Sequence, residues 1–344
     1  MIIAIDNLKT IRNDGNEYIY VFDTESIEEL EKLKIHCINY KYLDFVDINT
    51  TAYNINCLKR CKPTDNFDIK GKQYKFAIII PNYNNAHGLY KGKTYLENCI
   101  ESVLNQTYKN FDLIIVDDMS TDNSVEIIEN YQRKDNRIHL IKNKRKRYNG
   151  GSRNVGIEYA IDNIDFDYFA FLDSDDWWKN ETVLYNINYA LDGCELMLIG
   201  LECIDNNGVF LSKKNDYKNF QEFFLSDNKV WCTAWCRVIR RDKIVYFCEN
   251  TLMEDRVWSY RQADNVDFEK VKNLKRICYV WNRMNSENSV SQMRSDFWNA
   301  SAYCHVGHQL QLIEEIKHKE LIPIIKRRVN ICIKKINNNN YEQF

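Results

Sequence analysis

FDLIIVDDMSTDNSVEIIENYQRKDNRIHLIK, residues 111–142, holds the pattern that decides the fold. It opens on a short continuous apolar run closed by Asp117-Asp118, passes through turn residues into a helical stretch around Asn123–Lys134, and closes on a second apolar run at Arg137–Lys142. A strand whose apolar residues do not alternate with polar ones is buried on both faces, and two such strands joined through a helix lie parallel. Outward from this unit the same rhythm continues: KFAIII (75–80), a helix around Tyr95–Asn105, a helix over Ser152–Asn163, and YFAFLD (168–173). The spacing predicts an α/β fold with a parallel sheet flanked by helices. In such sheets ligands bind beyond the carboxyl ends of the strands, where the polar tails of these runs fall: Asn82-Tyr83-Asn84, Asp117-Asp118 and Asp173-Ser174-Asp175.

Around this nucleus the chain has room for more than one domain, with 344 residues, 44% hydrophobic and 28% charged. Residues 1–73 read as a small α/β appendage: strands MIIAI and YIYVF, an acidic helix SIEELEKLK, and a linker at Lys62–Asn66. Residues 74–178 read as the regularly alternating half of a main domain over 74–294, and 179–294 as a less regularly wound half with ELMLIGLECI, GVFLS, AWCRVIRR and RICYVW as strands. Residues 295–344 form a helical extension, two helices broken near Pro323. A net charge of −2 gives no whole-molecule argument for nucleic acid or an anionic membrane; the best local patch for a polyanion is Lys142–Arg147. The start MIIAIDNLKT lacks a basic segment followed by a long apolar one, and no run approaches a membrane span, so a cytoplasmic chain with reduced thiols is expected from its 12 cysteines. The CxxxC pairs Cys57/Cys61 and Cys232/Cys236 lack a matching second pair for zinc, and His305/His308, on one helical face without carboxylate support, read as packing or surface residues.

The acidic strand ends carry the chemistry. Asp and Ser are default turn residues, yet Asp173-Ser174-Asp175-Asp176 closes a buried strand, where carboxylates can face a hard cation such as Mn2+ or Mg2+ that also takes phosphate oxygens. Asp117-Asp118 ends its strand on the same side of the sheet, which puts both acidic pairs in one cleft. Gly150-Gly151-Ser152-Arg153-Asn154 reads as a tight turn with Ser152 as the cap of a helix that turns Val155, Ile157, Ala160 and Ile161 inward, and a helix start beside an arginine suits an anion. Neither GxxxxGK[ST] nor GxGxxG occurs, which excludes the P-loop and dinucleotide-binding readings.

IIIPNYNN, YLENCIESVLNQTYKNFDLIIVDDMSTDNS, NGGSRNVGIEYA and DYFAFLDSDDWW, in that order over Phe76–Trp178, resemble the nucleotide-binding half of the family-2 glycosyltransferases, which have a GT-A-type fold. The resemblance implies that Pro81 and Tyr83 line a uracil pocket, Asp117 bonds the base with Asp118 beside it, Arg153 sits near the base or diphosphate, Asp173 and Ser174 lie on the ribose side, and Asp175 binds the metal. TAWCRVIRR and LMEDRVWSYR resemble the family's later motifs; Glu254-Asp255 matches its acidic pair, in which the Asp acts as catalytic base. Tyr279–Arg283, with Ser289–Ser291 after it, resembles the loop over the donor, and the processive family's Gln-x-x-Arg-Trp motif is absent.

The resemblance thus implies a metal-dependent, inverting transfer from a UDP-sugar to an acceptor hydroxyl, the acceptor being a glycan, a protein, a lipid-linked sugar or a modified nucleic-acid base. Two rivals stand beside it. A nucleotidylyltransferase would need a Gly-rich basic loop directly after the first strand, which is missing, and an inactive nucleotide-sugar-binding module would not require Asp117, Asp173, Asp175 and Asp255 together.

Overall fold

A computed structural model describes residues 8–14, 17–22, 72–144, 147–213, 233–249, 254–284 and 296–337. The chain divides into two compact units, Met1–Lys72 and Gln73–Phe344. In the first, strands β1 (Leu8–Asp14) and β2 (Glu17–Phe22) form an antiparallel hairpin whose register shifts between Thr10 and Arg12. β2 contains the expected YIYVF; its partner LKTIRND was not singled out in the sequence, and MIIAI, the acidic helix and the 62–66 linker lie outside the described residues.

The second unit is built on one mixed sheet of nine strands among the described residues, ordered β5-β4-β3-β6-β10-β8-β11-β7 with β9 paired to β8. These are β3 (Phe76–Asn82), β4 (Phe111–Asp117), β5 (Ile138–Lys142), β6 (Tyr168–Phe171), β7 (Trp177–Trp178), β8 (Leu196–Asp205), β9 (Gly208–Lys213), β10 (Arg237–Arg240) and β11 (Val271–Asn282). Helices α1 (Tyr95–Leu104), α2 (Ser124–Gln132), α3 (Tyr148–Asn163), α4 (Val183–Leu191), α5 (Glu254–Asp264), α6 (Asp296–Glu315) and α7 (Ile322–Asn337) accompany it.

The parallel block β5-β4-β3-β6 follows from composition. Every residue of β3 is buried, and β4 is buried except at Asp112, which is satisfied by Lys75 at 2.8 Å and His139 at 2.8 Å. β-branched side chains packed on both faces favour this setting. Pro81 sits in β3 without breaking it, because β6 stops pairing at Ile79 and the missing N–H is not called upon. The parallel pairing ends at β6, and in the half read as less regularly wound β10 pairs antiparallel with both β6 and β8 while β11 runs parallel to β8.

Helix α1 begins in a complete capping box, Thr94 with Glu97, and buries Tyr95, Leu96, Cys99, Ile100 and Val103 on one face. α3 departs from the expected boundaries. It starts at Tyr148, so Gly150 and Gly151 lie inside its first turn, and Ser152 is a buried helical residue bonded by Asn143 at 3.2 Å, not the cap. Val155 and Ile161 are only half-buried; the inward face is Gly150–Asn154, Gly156, Ile157 and Ala160. A Cβ on Gly156 would meet Ile79 at 2.7 Å, and one on Gly150 would meet the Cys248 carbonyl at 2.6 Å and Glu254 at 3.0 Å. The glycines therefore serve close approach of α3 to β3 on one side and to the start of α5 on the other. Pro323 lies in the first turn of α7, where its lost N–H is harmless, and the break between α6 and α7 falls at 316–321. Cys99, Cys194, Cys203, Cys236, Cys248, Cys278 and Cys332 are thiols outside any disulfide and buried, as small hydrophobes are. No helix among the described residues is long and apolar enough to cross a membrane.

Candidate functional site

Parallel pairing in register sets Asp117, the last residue of β4, directly beside Asn82, the last of β3. Asn82 Nδ2 donates to Asp117 Oδ1 at 2.9 Å, and the Ser120 amide donates to Oδ2 at 3.0 Å. Each carboxylate oxygen keeps capacity for a further donor, so a base N–H remains an admissible partner. Pro81 is buried in β3, and Tyr83 stands 38% exposed just past it. The loops after β3 and β4 are sewn together: the Thr121 amide donates to Asn84 Oδ1 at 2.7 Å, and the Asn84 amide to Ser120 Oγ at 3.0 Å.

Asp118 is directed elsewhere. Its oxygens accept from the Arg147 and Tyr148 amides, both at 2.8 Å, and from Asn143 Nδ2 at 2.9 Å. A carboxylate on the unpaired amides of a helix start satisfies orphan donors and complements the helix dipole. It is thus the N-terminal cap of α3, supplied from a strand about one motif upstream.

The segment Asp173–Asp176 leaves β6 as a tight turn, closed by the Asp176 amide on the Asp173 carbonyl at 3.0 Å. Ser174 Oγ accepts from Asn85 Nδ2 at 2.5 Å, which links the turn to the loop after β3. Asp176, part of the acidic run but given no role of its own in the sequence, is buried; it accepts from the Tyr279 hydroxyl at 2.5 Å and the Asn282 amide at 2.8 Å. The same Tyr279 oxygen accepts from the Asp173 amide at 3.2 Å, and the ring stacks on Trp235 at 4.3 Å. β11 therefore carries a clamp that holds the turn from the far side of the sheet. The local signal that could have shown it is Asp176 lying against Trp177-Trp178, an acid entering a buried strand.

Asp175 is half-buried, and its carboxyl is pushed up to about 7 by burial first and by the Asp173 carboxylate second. Two crowded acids at a strand end fit a divalent cation, whose charge would relieve their repulsion. No group of three or more His, Cys, Asp or Glu among the described residues is arranged to hold a metal. A cation at Asp175 would need oxygens from substrate and water, which is how Mg2+-type ions are ordinarily held with phosphates.

Arg153 is the centre of the site. Reaching from α3, it is 1% exposed and bonds Asp173 through Nη2 at 2.6 Å, Glu254 through Nη1 at 2.7 Å and Asp255 through Nη1 at 3.4 Å. Its guanidinium lies 5.3 Å from the centre of the Phe247 ring, which stacks on Trp258 at 4.4 Å, and Nε finds no hydrogen-bond partner among the described residues. Asn154 holds the 247 segment in place by bonding both the Phe247 amide, at 2.8 Å, and its carbonyl, at 3.0 Å. Burial raises the Asp255 carboxyl to about 7 despite the lowering influence of Arg153, with Glu254 and Asp173 adding to the rise. Burial also raises Glu254. The resemblance put Arg153 near the base or diphosphate; both of its terminal nitrogens are occupied by acids that lie 20 and about 100 residues away along the chain. No local periodicity announces such a cluster.

The remaining candidates lie apart. His305 is buried with its Nε2 3.1 Å from Gln309, and burial lowers the half-buried His308. Lys142 pairs with Glu129 at 2.6 Å and Arg147 with Glu249 at 3.3 Å; Arg145, Lys146 and Ser289–Ser291 lie outside the described residues.

Residues 77–246 match the family model described as Glycosyl transferase family 2. A curated glycosyltransferase of Haemophilus influenzae is 38% identical over 147 residues, 41% of this chain and 54% of that protein. A UDP-Glc:alpha-D-GlcNAc-diphosphoundecaprenol beta-1,3-glucosyltransferase of Escherichia coli is 34% identical over 137 residues, 40% of this chain and 49% of that protein. The chain thus spans about half the length of these curated relatives. Among solved structures, S. aureus TarS 1–349 in complex with UDP-GlcNAc superposes with a TM-score of 0.53 at 21% identity, covering 69% of this chain and 66% of that one, a likeness of fold.

Proposed function

Because the chain belongs to the family-2 glycosyltransferases and carries their GT-A fold, we propose that it transfers a sugar from a UDP-sugar to an acceptor hydroxyl with inversion, Asp255 accepting the hydroxyl proton. The observation that supports this most is the single arginine shared by Asp173, at the end of the donor-side strand, and Asp255, at the start of α5 in the other half of the domain. It joins a donor-side acid and a candidate base across 82 residues of sequence. A base near neutral pH gains from a raised pKa because it must both be ionised and hold a proton firmly, and the crowded setting of Asp255 has that character.

In this reading Asp117, Pro81 and Tyr83 receive the uracil, Asp173 and Ser174 the ribose side, and Asp175 the cation, Mn2+ or Mg2+. The cation supplies charge neutralisation for the departing diphosphate. Arg153 orients Asp173 and Asp255 and is a positioning residue, as is Glu254, which takes the shorter bond to Nη1 and leaves Asp255 the longer one. Inversion needs no covalent intermediate, so one base suffices. The name of the Escherichia coli relative makes UDP-Glc the first donor and a diphosphoundecaprenol-linked sugar the first acceptor to try.

The test is UDP release from a panel of UDP-sugars with each acceptor class, with and without Mn2+, for the wild type and Asp255→Asn. Acceptor-stimulated UDP release that needs Mn2+ and is lost in Asp255→Asn is expected. UDP binding without release for any donor and acceptor would favour the inactive binding module, and pyrophosphate release from a nucleoside triphosphate and a sugar phosphate the nucleotidylyltransferase.

A further inference from the structure

The helix α7 sets charge apart from the rest of the chain. Its 16 residues, IPIIKRRVNICIKKIN, carry Lys326, Arg327, Arg328, Lys334 and Lys335 and no acid, whereas the whole chain carries a net charge of −2. Its inward face is Ile324, Ile325, Arg328, Val329 and Cys332, all buried. The outward face has Lys326, Asn330 and Lys334 at four-residue spacing, one above the other, with Arg327 alongside, all exposed. Ile331, 37% exposed, and Ile333, 39% exposed, border this cationic stripe on its two sides. Among the described residues, the exposed acids nearest in the chain, Glu314, Glu315 and Glu320, precede the helix, so the stripe runs away from them.

We infer that the outward face of α7 docks on an anionic lipid surface. Cations on a helix bordered by exposed aliphatic side chains match a headgroup layer in both respects: the charges meet anionic headgroups while the isoleucines enter the acyl boundary. A nucleic-acid backbone would use the cations and leave Ile331 and Ile333 in water. The placement also relates the surface to the candidate site. The turn between α6 and α7 is fastened to the last residue of α5, Asp264 Oδ1 accepting from the Lys317 and His318 amides at 2.8 Å each. Asp255 lies at the other end of that helix, nine residues away, about 14 Å along its axis at the α-helical rise. Docking through α7 therefore keeps the α5 acids at a set distance from the surface. The inference goes beyond the proposed transfer and does not depend on it.

The full chain is sedimented with vesicles of phosphatidylcholine alone or mixed with phosphatidylglycerol, at low and high salt. Binding is expected on the mixed vesicles only and weakening with salt, since exposed charges are screened within about 10 Å at 0.1 M. Lys326→Glu/Lys334→Glu is expected to lower the vesicle partition coefficient by about 25-fold or more, from roughly fivefold for each charge near the surface, with an unchanged melting temperature and unchanged UDP affinity. Ile331→Ser/Ile333→Ser is expected to remove the part of the binding that survives high salt. Absence of binding to mixed vesicles, equal binding to neutral ones, an Ile331→Ser/Ile333→Ser variant that binds as wild type, or tighter binding to duplex DNA than to vesicles would each overturn the inference. Because UDP affinity is read in parallel, loss of the vesicle interaction and loss of the nucleotide site are told apart.

Discussion

Replacing Arg153 by Met keeps most of the side-chain volume and removes the one cation that Asp173, Glu254 and Asp255 share. Breaking a buried ion pair by deleting one partner costs about 3–5 kcal/mol, because the charge left behind is uncompensated. Asp173 and Asp255 are 23% and 27% exposed and can regain water, whereas Glu254 is 6% exposed, so the lower part of that range applies, about 3 kcal/mol. For a domain of this size, about 2–4 °C of melting temperature per kcal/mol puts the fall near 6–12 °C. The pH dependence has a definite sign. Burial already holds the Asp255 and Glu254 carboxyls above their ordinary values, and losing Arg153 raises them further. An acid whose folded pKa exceeds its unfolded one binds more protons in the native state, so the native state loses ground as pH climbs from the unfolded value, about 4, toward the folded one. The deficit of Arg153→Met is therefore expected to be small near pH 5 and large near pH 8. Thermal unfolding followed by circular dichroism measures it, and adding Glu254→Gln to Arg153→Met should return part of the loss at the higher pH, since neighbours in one network do not add. Equal deficits at both pH values, or a fall below about 2 °C at pH 8, would refute the charge-compensation argument.

If Asp255 is the base, Asp255→Asn should leave calorimetric UDP affinity in place while transfer falls by about 10²–10⁴-fold; parallel loss of both would contradict the role. The wild-type rate should rise with pH through about 7, where Asp255 ionises, and Glu254→Gln should move that acid limb to lower pH by leaving Arg153 more fully to Asp255. A limb that stays put in Glu254→Gln would mean that Glu254 does not govern the base. Asp117→Ala should weaken UDP binding by about 1–3 kcal/mol, the cost of an unmet buried partner, and unchanged affinity would place the base elsewhere. Asp118→Ala should cost about 1–2 kcal/mol of stability through the lost cap of α3, with a smaller effect on UDP binding than Asp117→Ala, and an unaltered melting temperature would argue against the cap.

Local signals in the sequence were enough to specify the parallel block, the helices between its strands and the side of the sheet where the acids gather. Continuous Ile and Val runs cannot be solvated on either face, and the helical pattern of Tyr95–Asn105 sits between two of them, so β3, β4 and α1 were legible from composition and spacing alone. The motif resemblance named the same acids. What only the tertiary structure decided depends on contacts without periodicity. β10 enters antiparallel beside β6 because a strand nearly 70 residues later pairs there, and nothing in RVIR specifies direction. Gly150 reads locally as a turn residue, yet its function is to let α3 approach Cys248 and Glu254 closely enough for Arg153 to reach three carboxylates. Asp117 and Asp118 are chemically identical neighbours, and alternation along an extended chain points them in opposite directions, one toward Asn82 at the strand ends and the other onto the amides of α3. Which carboxylate faces a ligand and which caps a helix is decided by what packs against each, and that is information a one-dimensional pattern of residue types does not carry.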